Sequence, residues 1–194
     1  MVRQPVEVQR GRDNDLRERL LAAARELLDS AGVDAVTIRE VARRAGVSHG
    51  APRRYFPTRA QLLASVAQRG FDDLARQLGA PGQPGNAAAQ LRAAAQTYLD
   101  FAQKQPALFE LTTRHDLLEA SGLELRQTSL AVLNRWHELV QAARPGASAD
   151  DVLVLFTAVH GLAALHSRRA LDLLHQDPAR LLDLILARPP ASFQ

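Results

Sequence analysis

The residue types in this chain that could do chemistry are concentrated in one basic run. Between positions 39 and 59 stand six arginines, Arg39, Arg43, Arg44, Arg53, Arg54 and Arg59, against a single acid, Glu40. Thr37, Ser48, His49, Gly50, Ala51 and Tyr55 are interleaved with them. Guanidinium groups at this density suit a polyanion, because they donate two-pronged hydrogen bonds to phosphate and can reach the O6/N7 edge of guanine. The bias is local. Residues 1–59 hold 12 Arg and 8 Asp+Glu, a balance of +4, whereas residues 60–194 carry −1 within an overall +3. A basic end on a near-neutral body points to a polyanion partner for that end alone. A solvated arginine-rich face is the other reading of the same charges.

Enzyme chemistry finds no footing. Gly46-Val47-Ser48-His49-Gly50 satisfies G-x-S-x-G, but a nucleophile elbow needs a strand before the serine, and here a helical pattern with a glycine stop precedes it. The six histidines include no H-E-x-x-H, and His160 and His166 fall on different faces of one helix. His115-Asp116 and His137-Glu138 are adjacent pairs whose side chains diverge. With no cysteine, disulfides, thiol catalysis and thiolate metal sites are excluded. The expectation is a protein that is not an enzyme and needs no metal or cofactor.

Length and composition frame these residues. A chain of 194 residues with 46% hydrophobic and 23% charged residues can bury a core as one large domain or two small ones. Met1 to Asp15 is polar and lacks the apolar centre of a secretory signal. The longest uncharged stretch, Val152 to Ser167, is short for a membrane span. A soluble, cytoplasmic protein is expected.

The elements that must position the basic run read as helices throughout. Leu16, Leu20, Ala23, Leu27 and Ala31 recur at helical spacing and Gly32 closes that helix. Asp15…Glu18, Thr37…Glu40 and Thr58…Gln61 read as capping boxes that start three helices. Thr37 to Gly46 then forms one short helix, and Ser48 caps a second that Pro57 stops. Two short helices about a glycine turn make a helix-turn-helix, packed by Val41, Ala42, Ala45, Val47 and Phe56, with His49, Gly50, Arg53 and Arg54 exposed. A long helix follows over 58–78 with Leu63, Val66, Gly70 and Leu74 on one face. Gly79 to Gly85, with three Gly and two Pro, reads as a linker. Further helices are predicted at 87–104, 106–118, 123–143, 149–166 and 178–187, the last capped by Asp177 with Pro178 at its first position. Residues 168–175 extend the fourth of these or form their own turn. The fold class is all-α: a three-helix DNA-binding domain over 14–74 after a flexible arm at 1–13, and a helical bundle over 75–194. Arg3, Arg10 and Arg12 give the arm a choice between a minor-groove role and none.

Residues 16–74 resemble the DNA-binding domain of the TetR family of bacterial transcription regulators. The resemblance rests on Ala23-Ala24 and Glu26-Leu27-Leu28, Gly32, Thr37-Ile38, Val41-Ala42, Ala45-Gly46-Val47-Ser48, Tyr55-Phe56-Pro57, Arg59 and Leu62-Leu63. It implies a homodimer on a palindromic double-stranded DNA operator, acting as a repressor. His49, Gly50 and Arg53 then face base edges or the groove floor, with Ala51 beside them. Thr37, Arg39, Ser48, Arg54, Tyr55 and Arg59 hold phosphates. Where relatives often carry Thr-Leu-Tyr, this chain has Ala51-Pro52-Arg53, so base preference does not carry over. Phe156-x-x-x-His160-Gly161 is similar to the Trp-x-x-x-His-Gly signature of one C-terminal subgroup.

For the C-terminal body the resemblance implies an effector cavity and a dimer interface. Tyr98, Phe101, Phe109, Trp136 and Phe156 could line a site for a small apolar or aromatic effector, with His115 or His160 as its polar handle; plain core packing is the alternative for each. The helix 123–143 carries two apolar stripes, Leu130, Leu133, His137, Val140 and Leu125, Val132, Trp136, Leu139, so burial on two sides is predicted. Val152, Leu155, Val159, Leu162, Leu181, Leu184 and Ile185 supply apolar surface for a two-fold interface. Two other readings stay open: an all-helical small-molecule binding or catalytic bundle, and a regulator controlled by a protein partner without any small-molecule effector. No membrane partner is expected.

Overall fold

A computed structural model describes residues 5–79, 86–118, 121–122 and 125–188, and every regular element among them is helical. The chain divides into two compact units, Met1–Arg69 with Glu110–Leu125, and Gly70–Phe109 with Arg126–Gln194.

In the first unit, α1 (Pro5–Ala31) begins ten residues before the cap predicted at Asp15, so the backbone of the supposed arm is helical from Pro5. Asp15 is therefore an interior residue of the helix, and Glu18 pairs with Arg69 instead of closing a capping box. Leu20, Leu21, Ala24, Leu27 and Leu28 bury the inner face of α1. Gly32, at φ 79°, ends it by donating its N–H to the Leu28 carbonyl. After a 3-10 turn at Val33–Ala35 comes α2 (Ile38–Arg44), whose Glu40 N–H donates to Thr37 Oγ1 at 3.1 Å. The box is half-formed, because the Glu40 carboxylate turns to Arg43. Thr58 likewise accepts from the Gln61 N–H at the start of α3 (Arg59–Gln77), but Gln61 Oε1 is buried without a partner and does not return the bond.

The second unit is built on α4 (Ala87–Lys104), α8 (Ala149–Ser167) and α10 (Pro178–Ala187), which pack against one another. Asn86 caps α4 through Oδ1, and Asp177 with Pro178 starts α10 as predicted. Among the described residues, Ser148–Asp151 at the head of α8 is the capping box closed on both sides. Between α4 and α8 in sequence run α5 (Pro106–Thr113), α6 (His115–Leu118), which falls in the first unit, and α7 (Leu125–Ala143). The predicted helix 106–118 is thus broken at Arg114, where a guanidinium–Asp116 pair sits. Residues 170–173 form their own short α9, bracketed by Arg169 and His175 in left-handed conformation. In α7 one stripe is core, with Val132, Trp136 and Leu139 buried beside Val140. The other is mostly open at Leu130 and His137, and the side chain of Leu125 lies outside the described residues. The linker predicted at 79–85 lies, beyond Gly79, outside them too.

A Cβ at Gly70 would fall 2.7 Å from Leu108 Cδ2 and 3.0 Å from its Cγ, and Leu108 is fully buried with nowhere to move. Gly70→Ala is therefore expected to destabilise the chain, although alanine normally gains about 1 kcal/mol over glycine in a helix. In a Leu108→Ala background the same change should stabilise by about that amount. Denaturant titrations of the four variants measure both signs.

Candidate nucleic-acid interface

Val36, Val41, Ala42 and Phe56 are buried with the α1 leucines and fix the second half of the helix-turn-helix. Ala45 and Val47 are half-buried. That second half is shorter than predicted: a 3-10 turn at Ala51–Arg54 rather than an α-helix capped by Ser48. Pro52, buried, has no N–H to give, and Pro57 holds Phe56 out of the helical region, so only one tight turn fits between them. The Arg53 N–H donates to Gly50 O and the Tyr55 N–H to Pro52 O.

Thr37, Arg39, Ser48, His49, Gly50, Arg53 and Arg54 are exposed, and Ala51 is half-buried beside them. Their electrostatics are uneven. Glu40 neutralises Arg43, whose hydrogen bond holds the carboxyl below its ordinary range. Arg44 lies 3.7 Å from Glu26 and Arg54 4.0 Å from Asp13. Arg39 and Arg53 have no acidic partner among the described residues. They are the two cations of the run left to a ligand.

Two residues assigned to phosphate are engaged inside the protein. Arg59 donates from Nε to Val36 O at 2.7 Å and from the guanidinium to Val33 O at 2.5 Å, with Asp34 at 3.8 Å. It is a clamp on the 3-10 turn before α2. The Tyr55 hydroxyl donates to Asp13 Oδ1 at 2.9 Å, and the Arg54 guanidinium lies 6.0 Å from the Tyr55 ring centre. Burial and the neighbouring carboxylate push the Tyr55 hydroxyl up. Neither contact is visible in local spacing, since the partners lie 23 to 42 residues away.

In the second unit the nominated aromatics do gather. His160 packs on Phe156 (5.9 Å between ring centres), on Phe109 (5.3 Å) and on Tyr98, whose hydroxyl lies 2.8 Å from His160 Nδ1. Phe101 contacts Phe109, and Trp136 contacts Phe156. Phe101, Phe109 and Trp136 are buried; Tyr98, Phe156 and His160 are half-exposed. Burial pushes the Tyr98 hydroxyl up and His160 down, so the pair is neutral near pH 7, with a hydroxyl able to donate to Nδ1. The side chain of His115 lies outside the described residues.

Of the residues expected at a dimer interface, Val152, Leu155, Val159 and Leu162 are buried within the chain. Leu181 and Ile185 are half-buried, and Leu184 is 57% exposed. The open face of α8 is the opposite one, with Leu153 (56% exposed), Val154, Thr157, Ala158, Gly161 and Leu165. A helix apolar all round offers two candidate stripes, and the sequence does not say which faces the core. By length and composition α8 could also cross a membrane, contrary to expectation, although five of its apolar residues are in this unit's core.

The sequence profile of bacterial regulatory proteins of the tetR family matches residues 20–66, and that of the tetracyclin repressor-like C-terminal domain matches residues 91–188, half of the chain. The nucleoid occlusion factor SlmA of Glaesserella parasuis is 30% identical over 55% of this chain and 59% of its own length. The HTH-type transcriptional repressor KstR of Rhodococcus jostii is 34% identical over 50% of this chain and 46% of its own. The matches thus span about half the length of these curated relatives. A solved structure of a protein with unknown function from Rhodococcus sp. RHA1 superposes with a TM-score of 0.76 at 29% identity, covering 91% of this chain and 96% of that one. With both profiles falling on the two parts of an all-helical chain, and the first of them on its helix-turn-helix, the protein belongs to the TetR family.

Proposed function

We propose that the protein is a homodimeric repressor that grips a palindromic operator and is released by a small effector. The observation that carries the DNA side is the exposed turn at 48–54, where Arg53, beside His49 and Gly50, has no acidic partner among the described residues, nor has Arg39 on α2. Arg53 and His49 read base edges where Gly50 lets the backbone approach, while Thr37, Arg39, Ser48 and Arg54 hold phosphates. One turn reads few base pairs, so two copies are needed. The open apolar stripe of α8, from Leu153 to Leu165, with Leu184 of α10, supports the second copy as its cover.

The effector reading rests on the aromatic group around His160. A planar or apolar molecule fits against Phe156 and Tyr98, with a polar atom on the imidazole. The functional division at 14–74 and 75–194 follows, with α3 continuing from one part into the other as the lever. To move the population from bound to released, an effector needs a differential affinity of about 5 kcal/mol between the two states. Phe156, His160 and Gly161 are the basis for kinship with the Trp-x-x-x-His-Gly subgroup. The likeness to SlmA, a nucleoid occlusion factor, favours a second reading, a DNA-binding role in nucleoid occlusion in place of effector-controlled repression.

Arg53→Ala tests the DNA side. Against an operator selected from random sequence, it should lose about 1–3 kcal/mol and relax preference at one position per half-site. A uniform loss across all sequences would move Arg53 to the phosphate contacts.

A further inference from the structure

The basic run holds one acid in sequence, yet the fold delivers another to it. Asp13, on α1, reaches the end of the recognition turn, where its Oδ1 accepts the Tyr55 hydroxyl at 2.9 Å and lies 4.0 Å from the Arg54 guanidinium. Arg54 also lies over the Tyr55 ring, so phenol, guanidinium and carboxylate form one cluster. The side chains of Arg54 and Asp13 are 69% and 40% exposed, which leaves the cluster open to solvent. A tyrosine hydroxyl and an arginine beside a recognition turn are a donor pair for a backbone phosphate oxygen. Here a carboxylate oxygen, chemically the nearest side-chain equivalent of that oxygen, already occupies them.

We propose that Asp13 is a built-in phosphate mimic: in the free protein it holds Tyr55 and Arg54, and a DNA phosphate must displace it before they engage the backbone. This deepens the DNA-binding reading and rests on it. The exchange is feasible because an exposed ion pair is weak and salt-screened, whereas a phosphate brings more charge and more acceptor oxygens. Its consequence is a uniform weakening of duplex binding. The carboxylate lowers affinity for any duplex, since it competes with a contact that carries no sequence information. Arg53, with no acid at hand, keeps its base contact.

The competing account is that Asp13 only anchors Tyr55 in place. Two variants separate the accounts. Asp13→Asn removes the charge but keeps an amide oxygen for the Tyr55 hydroxyl, and Asp13→Ala removes both. Binding is measured by anisotropy on a short duplex of scrambled sequence and on the selected operator, between about 50 and 200 mM salt. Thermal melts verify that each variant folds.

Both variants should bind the scrambled duplex about fivefold more tightly than wild type at low salt. The slope of log K against log salt should steepen by about 0.9, the signature of one more phosphate neutralised. The affinity ratio of operator to scrambled duplex should stay level, because the released phosphate contact is common to both. If Asp13→Asn leaves affinity and slope unchanged, or if Asp13→Ala weakens binding, the residue is an anchor and the proposal fails. If wild type and variants alike bind no duplex, the DNA-binding reading falls and takes the proposal with it.

Discussion

Leu153→Glu combined with Val154→Glu is expected to leave the fold intact and abolish the proposed dimer. Both side chains are more than half exposed in the single chain, so the substitutions cost the monomer little. In a two-fold interface each copy brings the same patch, and four carboxylates would be forced against apolar surface and each other. Burying an unpaired charge costs several kcal/mol, enough to overturn an interface made of leucines and valines. Operator affinity should then drop by about a hundredfold or more, because the second recognition turn loses its tethered, high effective concentration. Sedimentation should find a monomer with an unchanged thermal midpoint. A variant that remains dimeric would show that the open face of α8 serves some other contact. Val159→Glu, by contrast, should fail to fold, because Val159 is fully buried.

Arg59→Gln is the second large effect, and it falls on stability rather than on DNA. The guanidinium bridges the carbonyls of Val33 and Val36 and faces Asp34, holding the turn from which α2 departs. Hydrogen bonds from a charged donor contribute about 1.5–3 kcal/mol each, discounted here because the side chain is 35% exposed. A loss of about 2–3 kcal/mol is expected, a drop in thermal midpoint of roughly 4–12 °C for a chain of this size. Arg59→Lys should not rescue it, since an ammonium cannot fork between two carbonyls. At temperatures where the variant is folded, the salt slope of DNA binding should match wild type. A stable variant with a slope reduced by about one would return Arg59 to the phosphate contacts.

The extent to which the sequence announced this protein varies with the range of the interactions concerned. The bounds of α4 and α10 match their predicted bounds, and α8 runs one residue further, because caps and breakers act over three or four residues. The start of α1 was hidden because residues 5–15 carry no apolar stripe to mark a helix. Pro52 and Pro57 both stood in plain view. That they squeeze the recognition segment into a single 3-10 turn depends on the depth at which Pro52 and Phe56 are buried. Exposed arginines are indistinguishable in sequence from working ones: Arg39, Arg53 and Arg59 look alike until Arg59 finds carbonyls more than twenty residues away. Periodicity located α8 but could not orient it, so it did not show that Val152, Leu155, Val159 and Leu162 face the core. The aromatic cluster was anticipated as a set, but the bond from Tyr98 to His160 spans 62 residues and has no local signal.

The measurement that bears most directly on the account is selection of duplexes from a random pool by the wild-type protein at defined salt. The account predicts a palindrome whose half-sites lie about 34–36 Å apart, or a multiple of that, matching the two-fold axis of the proposed dimer. Recovery of no sequence preference, with binding that merely falls steeply as salt rises, would contradict it and leave the basic turn to another polyanion.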